Sequence, residues 1–246
     1  MANPEGAVPY PRFCEAGDTA LMVELGAGID RDTNAAVMRL NARLRKANLP
    51  GVIETVPTFR SILVTYDVID TTGETIEAAI TDLLDDDAEA KKEAARTWRL
   101  PVCYDGDDMA PDLSDVADRT GFTPEEVIKR HLDRTYSIYM LGTFPGFGFM
   151  GDVDEKLALP RRDNPRVAIP QGSVGITGKL TAIYPIESPG GWNLIGRSPV
   201  VLFDPSSEKP ALLSPGDAVT FERIDRTEFD QVFSAARDGR WLPEPL

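Results

Sequence analysis

The chain is 246 residues long, which is enough for two domains with sizeable cores, and it carries 26 Lys and Arg against 40 Asp and Glu, a formal net charge of −14. So negative a field repels phosphate backbones and anionic lipids, and neither nucleic acid nor a membrane surface is expected as a partner. With 42% hydrophobic and 27% charged residues, and no apolar run near the roughly 20 residues of a membrane span, the composition is that of a globular protein.

The opening segment MANPEGAVPYPRF has no basic stretch followed by an apolar one, so no secretory leader is expected and the chain reads as cytoplasmic. Strands are predicted at Arg12 to Glu15 and Thr19 to Leu25, joined by the Gly17-Asp18 turn. A helix follows, capped by Asp30 or Asp32, with Ala36, Val37, Leu40 and Leu44 at helical spacing up to Asn48-Leu49-Pro50-Gly51. Val52 to Val56 and Ser61 to Tyr66 predict a second strand pair, and Thr72 caps a helix bearing Ile76, Ile80, Leu83 and Leu84. The order ββαββα predicts an α+β layer over residues 1–95, and the acidic run Asp85 to Asp87 leads into a linker.

From Trp98 the texture changes to short strands set off by Gly and Pro, namely WRLPVCY, VAIPQGSVGI, AIYPI, NLIGR and VVLF. Residues 96–246 therefore predict a mainly β barrel or sandwich. Two helices interrupt it, one from Leu113 and one opened by Thr123-Pro124-Glu125-Glu126. The strand SIYML behind them and the acidic charge argue against a DNA-reading helix pair. AVTFERI closes the domain after the SPGD turn at 214–217, and Thr227 with Asp230 starts a last helix ending at Gly239.

Cys14 and Cys103 are too few for a disulfide framework or a thiolate zinc site, and His131 is the single histidine, so no metal site is expected. A serine triad would have to use His131, yet the nearest glycine-flanked serine reads QGSVG at 171–175 and is no nucleophile elbow.

Candidate chemistry concentrates between Gly142 and Arg197. In FPGFGFMG the glycines and Pro145 predict a loop that presents aromatic rings: Pro145, Gly146 and Phe147 as a pocket wall, Phe149 and Met150 as a barrel plug. Arg161, Arg162 and Arg166 stand among prolines in an otherwise acidic chain, and guanidinium forks suit carboxylate or phosphate. In SPGGW, the turn at Gly190 and Gly191 precedes Trp192, an indole that stacks on a planar ligand or caps the core. Lys179, Tyr184 and Arg197 add an ammonium, a hydroxyl and a further guanidinium.

These motifs resemble the small-subunit family of prokaryotic 5-oxoprolinase, also called allophanate hydrolase subunit 1 and KipI-like. CYDGDDMAPDLSDVA at 103–117, TPEEVIKRH, PGF, LPR, PxGSVGI, IYP, SPGGW and IGRSP occur in the family's order. The resemblance implies that the second domain is a cyclophilin-like barrel. It implies a larger cyclophilin-like partner subunit, a third, lactam-opening subunit, and ATP consumed as 5-oxoproline becomes glutamate. It makes His131 a candidate for proton transfer or substrate orientation, the alternative being a helix-end histidine that favours the C-terminal dipole. It also makes Arg161, Arg166 and Arg197 candidates for anion binding, and the Gly172 and Ser173 backbone a candidate oxyanion or phosphate cradle. The resemblance leaves two other roles open: inhibition of a histidine kinase, or a component of a urea-type, biotin-dependent carboxyltransferase. No Walker loop is present, so ATP is expected on the partner or at an interface. Thr143, Gln171 and Leu180 depart from the family's phenylalanine, alanine and glutamine, which bears on the substrate.

Overall fold

The structure, a computed structural model, describes residues 9–85, 95–142 and 144–246. The chain divides into two compact units, residues 1–94 and 95–246. The linker reading for the run after Asp85, and Thr143, lie outside the described residues.

In the first unit β1 (Arg12–Glu15), β2 (Ala20–Glu24), β3 (Val52–Pro57) and β4 (Ser61–Tyr66) form an antiparallel sheet in the order β1-β2-β4-β3. Helices α1 (Arg31–Ala47) and α2 (Gly73–Asp85) pack their apolar stripes on one face of it. Of the two candidate caps for α1, Asp30 serves, its carboxylate accepting from the Thr33 amide at 2.9 Å, and Asn48 ends the helix with φ at 45°. Thr72 caps α2 through the Thr75 amide. Alternation places Leu21, Val23, Ile62, Val64 and Tyr66 against Val37, Leu40, Leu44, Ile76 and Ile80.

The second unit is built on a closed barrel of seven strands. In barrel order these are β10 (Leu180–Ile183), β7 (Gly148–Gly151), β6 (Thr135–Leu141), β13 (Ala218–Ile224), β5 (Thr97–Cys103), β12 (Asn193–Arg197) and β9 (Ser173–Thr177). β13 and β5 run parallel; the other barrel pairs are antiparallel. Trp98, Leu100, Val102 and Tyr104, at period two, fill the interior with Tyr136, Ile138, Met150, Val174, Ile176, Ile183, Ile195, Val219 and Phe221. Helices α3 (Leu113–Thr120) and α4 (Pro124–Leu132) pack on this core. A separate ribbon pairs β8 (Arg166–Ile169) with β11 (Ser188–Gly190).

Four sequence expectations change. Gly148 to Gly151 is a barrel strand rather than loop, because the turn is complete by Phe147 and the small residues let Tyr139 and Leu213 pack over the strand. SPGGW contributes strand β11 instead of a turn, since Pro189 sits in a short edge ribbon where its missing donor costs little. VVLF at 200–203 makes only an isolated bridge, Phe203 to Ala211. The last helix, α5 (Arg226–Arg237), is capped two residues before Thr227, because Asp225 accepts from the Glu228 amide at 2.8 Å.

Candidate functional site

On the outer side of β9, β10 and β12 lies a second apolar cluster, Phe147, Ile169, Ala182, Tyr184, Trp192 and Leu194, flanked by Phe144, Phe149 and Leu180. Strand periodicity creates it: Thr181 and Ile183 point into the barrel while Ala182 points out. Phe147 meets Tyr184 and Trp192 edge-on, with centroids 5.2 and 5.8 Å away. Phe144 to Phe147 is a tight turn closed by the Phe147 amide on the Phe144 carbonyl at 2.9 Å, with Pro145 second and Gly146, at φ 80°, third. A side chain at Gly146 would meet the Leu202 carbonyl at 2.9 Å. Pro145 is exposed; Gly146 and Phe147 are buried. Trp192 is 4% exposed, which decides for core capping over ligand stacking.

Gly190 and Gly191 bring the ribbon against this cluster. A Cβ at Gly190 would stand 2.5 Å from the Tyr184 hydroxyl, and one at Gly191 would sit against Pro165 and the Arg162 carbonyl. The Arg162 amide donates to the Gly191 carbonyl at 2.7 Å, so the arginine loop lies alongside the glycine pair.

Asp112, which sequence reasoning did not single out, organises that loop. Its carboxylate is 3% exposed and accepts two bonds from Arg166 (2.8 and 2.7 Å), one from Arg162 (2.6 Å) and one from the Leu194 amide (2.7 Å). The carboxylate also raises the Arg166 pKa, so that guanidinium is held charged and engaged. Arg166 is therefore placed as an ion-pair partner of the buried Asp112. Arg161 is exposed and makes no hydrogen bond or ion pair among the described residues.

Tyr184 is pushed up to about 12, first by burial, while Arg161 and Arg166 pull the other way. At neutral pH it keeps its proton.

The structure does not bring the remaining candidates to this cluster. His131 is completely buried in the barrel interior, its ring stacked on Phe221 at 4.7 Å. The Thr181 hydroxyl donates to the Gly175 carbonyl, so it accepts from His131 Nε2–H; Nδ1 then accepts from the Tyr104 hydroxyl at 2.8 Å. Burial lowers its pKa to about 3, so the ring is neutral and has no helix-dipole role as a cation. With Thr181 inside and Ala182 outside, the barrel wall separates His131 from the aromatic cluster.

The proposed cradle is also occupied. The Gly172 amide donates to the Tyr184 carbonyl at 2.8 Å and the Ser173 amide to the Pro170 carbonyl at 3.2 Å, leaving neither for an oxyanion. Gly172 has φ at 85°, and a Cβ would run into the Ser198 carbonyl oxygen. Arg197 turns to another side, with Nε on the Gln171 carbonyl at 3.0 Å and its guanidinium 5.7 Å from the Phe229 and Phe233 ring centres. Lys179 pairs with Glu155 on the surface. Among the described residues no group of three or more His, Cys, Asp or Glu is placed to hold a metal ion, and no helix is long and apolar enough to cross a membrane.

Residues 11–213 match the family model "Carboxyltransferase domain, subdomain C and D". The chain is 39% identical to the B subunit of 5-oxoprolinase from Bacillus subtilis, over 87% of this chain and 93% of that protein. The chain belongs to the family of 5-oxoprolinase B subunits. It is similarly 36% identical to the B subunit of Escherichia coli O157:H7, over 83% of this chain and 92% of that one. Among solved structures, that of TTHA0988 superposes with a TM-score of 0.75 at 35% identity, covering 83% of this chain. This chain spans only 40% of that one, so its equivalent there is part of a longer polypeptide.

Proposed function

We propose that this chain is the small subunit of a cytoplasmic, ATP-dependent 5-oxoprolinase, acting with a larger cyclophilin-like partner and a lactam-opening subunit to convert 5-oxoproline to glutamate. The observation that carries this reading is the near full-length identity to the B subunits of two bacteria. On the same reading the seven-stranded barrel is the cyclophilin-like domain.

The geometry supports a division of labour. The aromatic and arginine cluster offers a protonated hydroxyl and a free guanidinium, which bind and orient; the imidazole lies behind the barrel wall. A lactam carbonyl is a poor electrophile, and transfer of the ATP γ-phosphoryl group to its oxygen, with ADP leaving, converts that oxygen into a leaving group. Water then adds at carbon, the tetrahedral adduct expels the ring nitrogen so that the C–N bond opens to an acyl phosphate, and a second water releases phosphate and glutamate. This chain's share is positioning and charge neutralisation. The backbone partners of the Gly172 and Ser173 amides support a reading in which ATP sits on the partner or at the interface.

Tagging the chain in its native cell and recovering it from extract tests this. A larger partner co-purifying with ATP-dependent release of glutamate from 5-oxoproline is the expected result; recovery of a histidine kinase without that partner contradicts it. One observation favours a second reading, the match to a carboxyltransferase domain. Under that reading the eluate transfers carboxyl groups to a urea-like amide, and avidin abolishes the activity.

A further inference from the structure

The half-buried arginines of the second unit, among the described residues, are Arg96, Arg130, Arg162, Arg166 and Arg197. All but Arg197 reach a carboxylate. Arg96 pairs with Asp217, Arg130 with Glu126 and Asp154, and Arg162 and Arg166 share Asp112. Arg197 has no acidic partner among the described residues. Taking a guanidinium part-way out of water without a counter-charge is unfavourable, and the exception points to an anion from outside the chain.

The Arg197 head group is held in place. Its Nε donates to the Gln171 carbonyl at 3.0 Å, which leaves both terminal nitrogens without an acceptor among the described residues. The guanidinium stands 5.7 Å from the ring centres of Phe229 and Phe233, which stack on each other at 5.5 Å. Arg237, one turn beyond Phe233 on α5, brings a second guanidinium to 5.7 Å from the Phe233 ring centre. Two cations therefore border one aromatic ring. The acids around them are engaged by other arginines: Asp108 and Asp230 by Arg226 at 2.6 and 3.3 Å, and Asp238 by Arg240 at 2.6 Å. Arg237 itself has no ion pair among the described residues. Burial lowers the pKa of Arg197 from its ordinary value, as expected for a charge that its surroundings leave uncompensated.

We propose that Arg197 and Arg237 form a binding site for a phosphoryl group, carried by inorganic phosphate or by a small phosphorylated molecule. A phosphoryl group has a charge of about −1.5 to −2 at pH 7, which two guanidinia with no acid of their own neutralise, whereas a lone carboxylate would answer only one of them. The terminal nitrogens of Arg197 form a planar fork suited to two phosphoryl oxygens. Because the Gln171 carbonyl and the ring pair already hold that fork, it loses little freedom on binding. Phe229 belongs to a separate core cluster with Cys103, Met109 and Ile224, on which Phe233 packs, so this site is distinct from the aromatic and arginine cluster described above. It does not rest on the 5-oxoprolinase reading.

Phenylglyoxal, which modifies accessible guanidinia, reads each arginine of the full chain separately when the products are mapped by mass spectrometry. Inorganic phosphate should protect Arg197 and Arg237 by roughly tenfold, while the exposed Arg99 and Arg161 react as they do without it. Acetate at matched ionic strength should protect neither. Arg237→Gln, at an exposed position, should weaken the phosphate protection of Arg197 by roughly tenfold and leave the thermal midpoint unchanged. Arg197→Lys, which keeps the charge and removes the fork, should weaken the protection of Arg237. Modification of Arg197 that is the same with and without phosphate, equal protection by acetate, or full protection of Arg197 in Arg237→Gln overturns the site. None of these readouts involves a lactam or a partner subunit, so the failure of the site and the failure of the 5-oxoprolinase reading are separate results.

Discussion

Asp112 holds two guanidinia and a backbone amide at once, and its environment sets what each arginine is free to do. Replacing it with Asn removes the counter-charge while leaving Arg162 and Arg166 in place. For a buried pair broken on one side the cost is about 3 kcal/mol, at the low end because the arginines are 32% and 27% exposed. Urea unfolding of Asp112→Asn should show that loss; a change under roughly 0.5 kcal/mol, the usual scale for a surface position, would contradict the organising role. Arg166→Ala, by the same logic, lowers stability instead of acting on chemistry alone. His131 gives a pH signature. Its folded-state pKa near 3 lies below an unfolded value of about 6.5, so the unfolded chain binds a proton that the folded chain refuses. The histidine's contribution is complete above about pH 6.5 and declines by roughly 1.4 kcal/mol per pH unit as pH falls toward 3. Between pH 7 and pH 5, wild type should therefore lose about 2 kcal/mol more than His131→Gln, and equal losses would show that the ring is not held neutral. The residue types of the site were legible in the sequence: arginines, aromatics and glycines do gather. Their partners were not, because Asp112 reaches Arg162 and Arg166 across 50 and 54 positions and no local pattern encodes that pairing.

Elements with local signals were the readable ones. Asp30 and Thr123 cap their helices as the sequence pattern implies, and period-two apolar runs mark β2, β4, β5 and β13. The start of α5 was missed because Asp225 and Thr227 both fit a cap, and only the backbone at Asp225, at φ −81° and ψ 175°, selects between them. Asp225→Ala should cost about 1 kcal/mol of stability, measurable by urea unfolding, while Thr227→Ala should cost a few tenths. The ribbon of β8 and β11 was hidden because a Pro-Gly-Gly sequence reads as a turn until a second strand arrives from 19 or more residues away to pair with it. The turn before β9 shows the converse, a glycine whose need is visible only in three dimensions. Gly172→Ala forces a side chain at φ 85° into a carbonyl and should cost roughly 3 kcal/mol, shifting the thermal midpoint down; an unchanged midpoint would contradict that placement.

At the scale of the molecule, the chain is two units whose cores are separately closed, one a helix-covered sheet and the other a barrel. The division near residue 95 was visible as a change of texture, from amphipathic helices to short Gly- and Pro-bounded strands. The strand texture left barrel and sandwich both open and the resemblance implied the barrel that is observed; the parallel register of β13 on β5, which joins segments about 120 residues apart, has no local sequence signal. The candidate site lies outside the barrel, across the wall from the imidazole, which agrees with the proposed sharing of the chemistry among subunits. That claim is tested most directly by reconstitution. The purified chain, the proposed larger partner and the proposed lactam-opening subunit are mixed in all combinations, with glutamate formed from 5-oxoproline and ATP as the readout. The account predicts turnover only when this chain is present, and none from this chain alone. Full turnover in its absence, or turnover by the isolated chain, would contradict it.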